Sequence, residues 1–250
     1  MLIDTHTHLC DPAFDVDRQE VIKRAIAVGV DRIISVSETL ADAERNLKLA
    51  DVYPEILPAA GLYPTILDIE EAEKMIAFIR KHKANLVAIG EVGLDYWKVQ
   101  EEADREIQSA IFRRFIDLSL ELDLPLNVHS RSAGKQTIEM LLKRGAKRVQ
   151  MHAFDGKAST AQSAVEAGYY FSIPPSIVRS RQKQKLVKSL PVKCLLFETD
   201  SPVLSPIPGE RNEPANITVA LKAVAEIKEM AVDEIKTAVE ENAGNCYVAI

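Results

Sequence analysis

Apolar positions along this chain follow two rhythms that alternate from end to end. Short runs of Val, Ile and Leu bounded by turn residues alternate with longer stretches in which apolar residues recur every third or fourth position. The short runs predict strands at Leu2–Thr7, Arg32–Val36, Ile56–Gly61, Leu86–Gly90, Pro125–His129, Arg148–His152, Tyr169–Ile173 and Lys193–Thr199. The stretches between them predict helices at Val16–Val28, Ala41–Val52, Glu70–His82, Glu101–Leu122, Lys135–Arg144, Thr160–Ala167 and Ser180–Ser189. Within Glu101–Leu122, the positions Ile107, Ile111, Phe115, Leu118 and Leu122 form one buried face. Gly145 reads as a helix stop. Beyond the last strand, Pro214–Glu229 and Val232–Val248 predict two further helices, split near Met230.

Eight strands, each followed by a helix, at about 30 residues per unit, match a closed α/β architecture, the (β/α)8 TIM barrel. The competing arrangement is an open, doubly wound sheet. It calls for a glycine-rich first strand-to-helix turn, and this chain has Leu9-Cys10-Asp11-Pro12 there. No linker-like shift in composition divides the chain, so residues 1–250 read as one hydrolase-sized barrel domain. Pro202, Pro206, Pro208 and Pro214 make Ser201–Pro214 a stiff loop over one barrel end.

Composition narrows the class. The 250 residues are 47% hydrophobic and 27% charged, ordinary for a soluble globular protein. A net charge of −6 excludes a generally basic nucleic-acid binder, so any such contact must rest on a local patch or on metal. Cys10, Cys194 and Cys246 are odd in number and lack a C-x-x-C spacing, which suits reduced thiols in the cytoplasm. The N-terminus lacks a signal-peptide pattern, and no apolar run approaches the roughly 20 residues of a membrane span. The expectation is a cytoplasmic protein with no membrane association and no obligate protein partner.

In a barrel of this kind the C-terminal strand ends share one mouth. Those ends carry His6 and His8, Glu91, His129, His152, and Glu198 with Asp200. Four of the five histidines therefore fall at strand ends, and only His82 lies on a helix. Strand alternation turns His6 and His8 the same way, with Asp4 behind them. Each residue alone reads as an ordinary polar group. Together, three carboxylates and four imidazoles at one mouth are costly to bury without a cation, and the donor set suits a divalent metal.

Several blocks extend this picture: Asp4-Thr5-His6-Thr7-His8, Gly90-Glu91-Val92-Gly93-Leu94-Asp95-Tyr96, His129-Ser130-Arg131, His152-Ala153-Phe154-Asp155-Gly156, Glu198-Thr199-Asp200-Ser201-Pro202 and Arg211-Asn212-Glu213-Pro214. In this order the chain resembles the TatD-type metal-dependent deoxyribonucleases, within the amidohydrolase-like metallohydrolase barrels. Phe171-Ser172-Ile173-Pro174-Pro175-Ser176 and the Arg211 block resemble the eukaryotic-type deoxyribonuclease branch. The resemblance implies a two-metal centre in which His6, His8 and Asp200 hold one ion, His129 and His152 hold the other, and Glu91 bridges them. One departure stands out. The family commonly has Gly-x-His-Pro after its third strand, whereas this chain has Gly61-Leu62-Tyr63-Pro64. Tyr63 keeps a polar hydroxyl but does not replace an imidazole as base or ligand.

Two divalent cations about 4 Å apart can activate water at neutral pH and clamp both oxygens of a phosphoryl displacement. Zinc, magnesium and manganese are the candidates. Asp200 would take the proton of the attacking water, with Glu91 as its catalytic partner. Arg131 and Lys135 would meet phosphates, Asp95, Tyr96 and Tyr63 would contact the substrate, and Glu198 would support a ligand or add one. The basic run Arg179, Arg181, Lys183, Lys185, Lys188 reads first as a solvated helix face. The expected activity is hydrolysis of DNA, as an exonuclease on single strands. The alternatives are a metal-dependent amidohydrolase, lactonase or esterase, and a non-catalytic metal-binding scaffold; the fold alone does not choose.

Overall fold

The computed structural model describes residues 1–247. Its strands are β1 (Leu2–Thr7), β2 (Val30–Ser35), β3 (Ile56–Ala60), β4 (Ala88–Gly93), β5 (Leu126–His129), β6 (Val149–Met151), β7 (Tyr170–Ile173) and β8 (Leu195–Phe197). Its helices are α1 (Arg18–Ala27), α2 (Leu40–Val52), α3 (Ile69–His82), α4 (Glu102–Leu122), α5 (Gly134–Arg144), α6 (Ala158–Glu166), α7 (Arg181–Ser189), α8 (Ile217–Lys228) and α9 (Val232–Cys246). The strands lie in sequence order, each parallel to the next. Where β1 meets the β8 edge, the Asp200 N–H donates to the His6 carbonyl at 2.8 Å and Thr5 Oγ1 donates to the Phe197 carbonyl at 2.8 Å. The sheet thereby curls into a nearly closed (β/α)8 barrel, and the open-sheet alternative is set aside.

Local chemistry moves some boundaries. The first helix begins at Arg18 rather than Val16 because Pro12–Phe14 forms its own 3-10 turn, capped by the Asp11 side chain. The last strand is shortened because Val192–Cys194 makes a 3-10 turn after Pro191, and Asp200 turns away in the left-handed region at φ 54°. β4 starts two residues late and runs on to Gly93, carrying Glu91 within the strand rather than beyond it. Gly145 ends α5 in the left-handed conformation, as expected of a glycine stop. Val248, the expected last residue of the final helix, lies outside the described residues.

Every residue of β1 is buried, since a parallel barrel covers both strand faces. The main core lies between the sheet and the helices, where Ile111, Phe115 and Leu118 of α4 are buried and Ile107 and Leu122 are half-buried. A second cluster, with Ile3, Ile34, Leu196, Cys246 and Tyr247, closes the end of the barrel remote from the strand C-termini. All three cysteines are buried and unpaired. Among the described residues, no helix is long and apolar enough to cross a membrane.

The proline-rich loop is pinned at its far end by the Arg211 block. Arg211 pairs with Asp17 at 2.6 Å and lies over Phe14, Glu213 pairs with Arg24, and Asn212 donates to the Thr199 carbonyl. These residues clamp the loop to α1 and to the β8 end, and so hold one wall of the mouth.

Candidate metal centre

The mouth is a cavity of about 640 Å³ over the C-terminal strand ends, within the range of small-molecule sites. His6 and His8, two residues apart on β1 and the turn after it, turn their Nε2 atoms to within 3.3 Å of each other. Asp200 Oδ1 lies 3.5 Å from His6 Nε2 and 3.4 Å from His8 Nε2. Glu91 Oε2 faces the same pair at 3.8 and 3.6 Å. Its other oxygen, Oε1, lies 2.5 Å from His129 Nδ1 and 3.3 Å from His152 Nε2. The His6 and His152 rings stack with centres 3.8 Å apart. All six residues named for the two-ion arrangement thus converge around one buried carboxylate.

The remaining ring nitrogens have their own partners. His6 Nδ1 lies 2.7 Å from Asn127 Oδ1, His129 Nε2 lies 2.9 Å from Asp95 Oδ2, and His152 Nδ1 lies 3.3 Å from Glu198 Oε2. When a ring is neutral, an N–H given to its outer acceptor leaves the opposite nitrogen's lone pair for the centre. This donor set fits divalent cations. Among the described residues, three groups have ligand atoms lying within 4.8 Å of one another: His6, Glu91 and His152; His6, His8 and Asp200; His8, Glu38 and Glu91. His129 is in none of the three and reaches the centre through Glu91.

Electrostatics reflects the same crowding. Burial pushes the His8 imidazole down, but Asp200 and Glu91 outweigh it and hold the group up at about 9. Burial likewise opposes protonation of His129 and His152, and is overcome by Glu91 for the former and by Glu198 and Glu91 for the latter. Burial would raise the Glu91 carboxyl, yet His129 and His152 hold it well below the usual carboxylate range. Asp200 is lowered in the same way, burial losing to His152, His6 and His8. Opposite charges here depend on one another, the condition under which divalent ions displace protons.

Beneath the centre lies a polar layer that the sequence reading did not single out. Asn127, Gln150 and Ser172 are buried on adjacent strands, and Tyr247 rises under them. Asn127 donates to the Thr5 carbonyl at 2.8 Å and to the Tyr247 hydroxyl at 3.1 Å, and that hydroxyl donates to Gln150. Gln150 donates to Ser172 Oγ at 2.9 Å, which donates to Glu198 Oε2 at 2.6 Å. A usable signal existed. Asn127 and Gln150 stand two residues before His129 and His152, so strand periodicity sets them on the same face one layer down. Asp4 stands likewise behind His6, its carboxylate accepting from the Thr199 N–H at 2.8 Å and hydroxyl at 2.5 Å.

The outer residues divide. Arg131, Tyr63, Glu38 and Lys183 line the cavity. Tyr63 meets His129 edge to face, and burial beside Glu91 keeps its phenol protonated. Lys183 is 8% exposed, its Nζ donating to the Ala153 carbonyl at 2.8 Å. It therefore leaves the solvated face on which its neighbours Arg181, Lys185 and Lys188 remain. Lys135 is exposed and pairs with Glu139 at 3.8 Å. Tyr96 lines a separate cavity, with the Arg105 guanidinium 4.2 Å from its ring centre. Asp95 is buried against His129.

Fold and mouth together define a barrel of the metallohydrolase type. Comparison with known proteins refines this. A model of the family described as TatD related DNase matches residues 3–248. The chain is 40% identical to the human deoxyribonuclease TATDN3, over 97% of this chain and 93% of that one. It is 36% identical to the Bacillus subtilis uncharacterized metal-dependent hydrolase YabD, over 99% of each. Among solved structures, the Escherichia coli TatD homologue YJJV superposes with a TM-score of 0.91 at 27% identity, covering 100% of this chain and 98% of that one. The chain belongs to the TatD-related DNase family.

Proposed function

We propose that this chain, acting as one barrel domain in the cytoplasm, is a two-metal phosphodiesterase that hydrolyses DNA and trims single strands from an end. The observation that carries the reading is Glu91, whose two oxygens face different histidines: Oε2 toward His6 and His8, Oε1 toward His129 and His152. His6, His8 and Asp200 would hold one cation, His129 and His152 the other, with Glu91 between them. Zinc, magnesium and manganese all suit such nitrogen and oxygen donors. When bound, the pair of ions supplies Lewis acidity and a water nucleophile at neutral pH.

The chain's own groups do the rest. The Asp200 carboxylate, 3.5 and 3.4 Å from His6 and His8 Nε2, is the group placed to accept the proton of the attacking water. Arg131 and Lys183 bring two cations into the cavity of a protein whose net charge is −6, and these bind a phosphodiester. Asp95, Asn127 and Glu198 fix the orientation of His129, His6 and His152. Tyr63, as a neutral phenol beside His129, is a hydrogen-bond donor rather than a base. The names of the relatives, deoxyribonuclease and metal-dependent hydrolase, support the same reading. Amide or lactone hydrolysis would use the same ion seats, but the two cationic side chains favour a phosphodiester.

The test is incubation of end-labelled single-stranded DNA with protein loaded with magnesium, manganese or zinc, beside the Asp200→Asn variant. Metal-dependent cleavage that the variant loses while staying folded is the expected result. Turnover of amides or lactones with no DNA cleavage under any of these ions would overturn the proposal.

A further inference from the structure

Trp97 is the chain's only tryptophan and is 50% exposed, on the loop between β4 and α4. A lone exposed apolar side chain needs no explanation, but this one is held in place. The Trp97 backbone N–H donates to Asp95 Oδ1 at 3.0 Å, and the other oxygen of that carboxylate lies 2.9 Å from His129 Nε2. The neighbouring Tyr96 N–H donates to the Arg131 carbonyl at 3.0 Å, which ties this loop to the one after β5. The backbone that carries the indole is therefore anchored at one remove from the candidate ion seats. Arg131, which lines the cavity, lays its guanidinium 3.7 Å from the indole centre, and Lys98 Nζ lies 5.0 Å from it. Among the described residues, the guanidinium's partner is this ring rather than a carboxylate.

With the guanidinium over one face of the indole and half of Trp97 still exposed, the pair has the two parts needed to hold one nucleotide: aromatic surface for a base and a charge for its phosphate. We propose that Trp97 and Arg131 form a nucleotide seat on the rim, the indole stacking an unpaired base while the guanidinium meets the adjoining phosphate. This rests on the phosphodiester reading above and deepens it, because it supplies a reason for single-strand preference. Bases within a duplex have both faces covered by their neighbours, so only a frayed or unpaired strand offers one to the indole. Stacking of this kind tolerates any base, since every base has a π face.

The test uses the full chain loaded with magnesium or manganese, the octamer (dT)8, and a base-free octamer of tetrahydrofuran phosphates of equal charge. Hydrolysis of (dT)8 is followed with the base-free octamer as competitor, in wild type, Trp97→Ala, Trp97→Phe and Arg131→Ala. Trp97→Ala is expected to raise KM for (dT)8 roughly tenfold with kcat nearly unchanged, since it removes binding common to ground and transition states. Its Ki for the base-free octamer should stay at the wild-type value, and Trp97→Phe should keep most of the affinity. Arg131→Ala should weaken both ligands. In rapid mixing before turnover, emission of the sole indole should change with (dT)8 and not with the base-free octamer. An unchanged KM in Trp97→Ala, or equal losses for both octamers, overturns the seat while leaving the phosphodiester reading intact. Failure of the wild type to cleave (dT)8 with either ion overturns both.

Discussion

Glu91 divides its oxygens between two sets of imidazoles, and the consequences of changing it follow from that geometry. Glu91→Gln is expected to lose one of two bound cations and nearly all hydrolysis while remaining folded. Elemental analysis beside circular dichroism and rate measurement checks this, and unchanged metal content with unchanged rate would exclude a bridge. Asp95 acts one bond further out. Its Oδ1 accepts from the Trp97 and Lys98 N–H groups at 3.0 and 2.7 Å, while Oδ2 takes the outer nitrogen of His129 at 2.9 Å. Asp95→Asn can keep the loop bonds but weakens the hold on the imidazole. Metal affinity should fall about 10- to 100-fold, read by competition with a chelating dye. Histidines and carboxylates at strand ends were visible in the sequence because their type is unusual there. Lys183 was not, because its neighbours Arg181, Lys185 and Lys188 do face solvent, and only the packing of α7 against the Ala153 turn buries it.

Among the elements, β4 and β5 set Glu91 against His129. Gly93 ends β4 at φ +148°, and a Cβ placed there would stand 2.0 Å from the His129 carbonyl oxygen. No side chain fits, so Gly93→Ala should cost about 3 kcal/mol or more through strain and steric overlap. Gly145, the stop of α5, also has positive φ at +70°, but nothing lies within 4 Å of its would-be Cβ. Gly145→Ala should then cost only about 1–2 kcal/mol, the conformational penalty alone. Urea unfolding midpoints at unchanged m-value separate the two cases. The alternation of strand and helix was legible throughout because the apolar spacing changes from a run to a period of three or four. Ends were less so, since 3-10 turns such as Pro12–Phe14 and Val192–Cys194 depend on prolines and carbonyl partners rather than on apolar period.

For the molecule as a whole, the mouth concentrates charge that the barrel must bury whether or not an ion is present. Ions that bind only the folded state should therefore stabilise it. At 100 times its Kd, one such ion adds about 2.7 kcal/mol, which for a chain of this size raises Tm by about 5–10 °C. Thermal melts with and without chelator should show that difference, and the Glu91→Gln protein should show a smaller one. No change in Tm on adding magnesium, manganese or zinc would count against ion seats built from these residues. The opposite end of the barrel has its own dependence on closure. Tyr247 reaches Asn127 and Gln150, and Asn127 in turn holds His6, so the chain's last described residue supports the candidate ligand nearest its start. Tyr247→Phe keeps the ring and removes the hydroxyl. It is expected to cost about 1–3 kcal/mol, because buried polar atoms of Asn127 and Gln150 lose their partner, again read from urea midpoints.

The sequence by itself determined the eight strand-helix units, the barrel they build, and the set of histidines and carboxylates at its mouth. Apolar period is a local property, and a parallel barrel converts strand order directly into a ring with all C-terminal ends together. Tertiary structure alone decided which candidate donors come within reach of one another, that Tyr96 turns to another cavity, that Lys183 enters the mouth and that Trp97 lies under Arg131. Those outcomes depend on strand stagger, on loop conformation and on which side-chain faces meet across the ring. Such relations join residues as far apart in sequence as His6 and Asp200, and no local pattern encodes a distance between them.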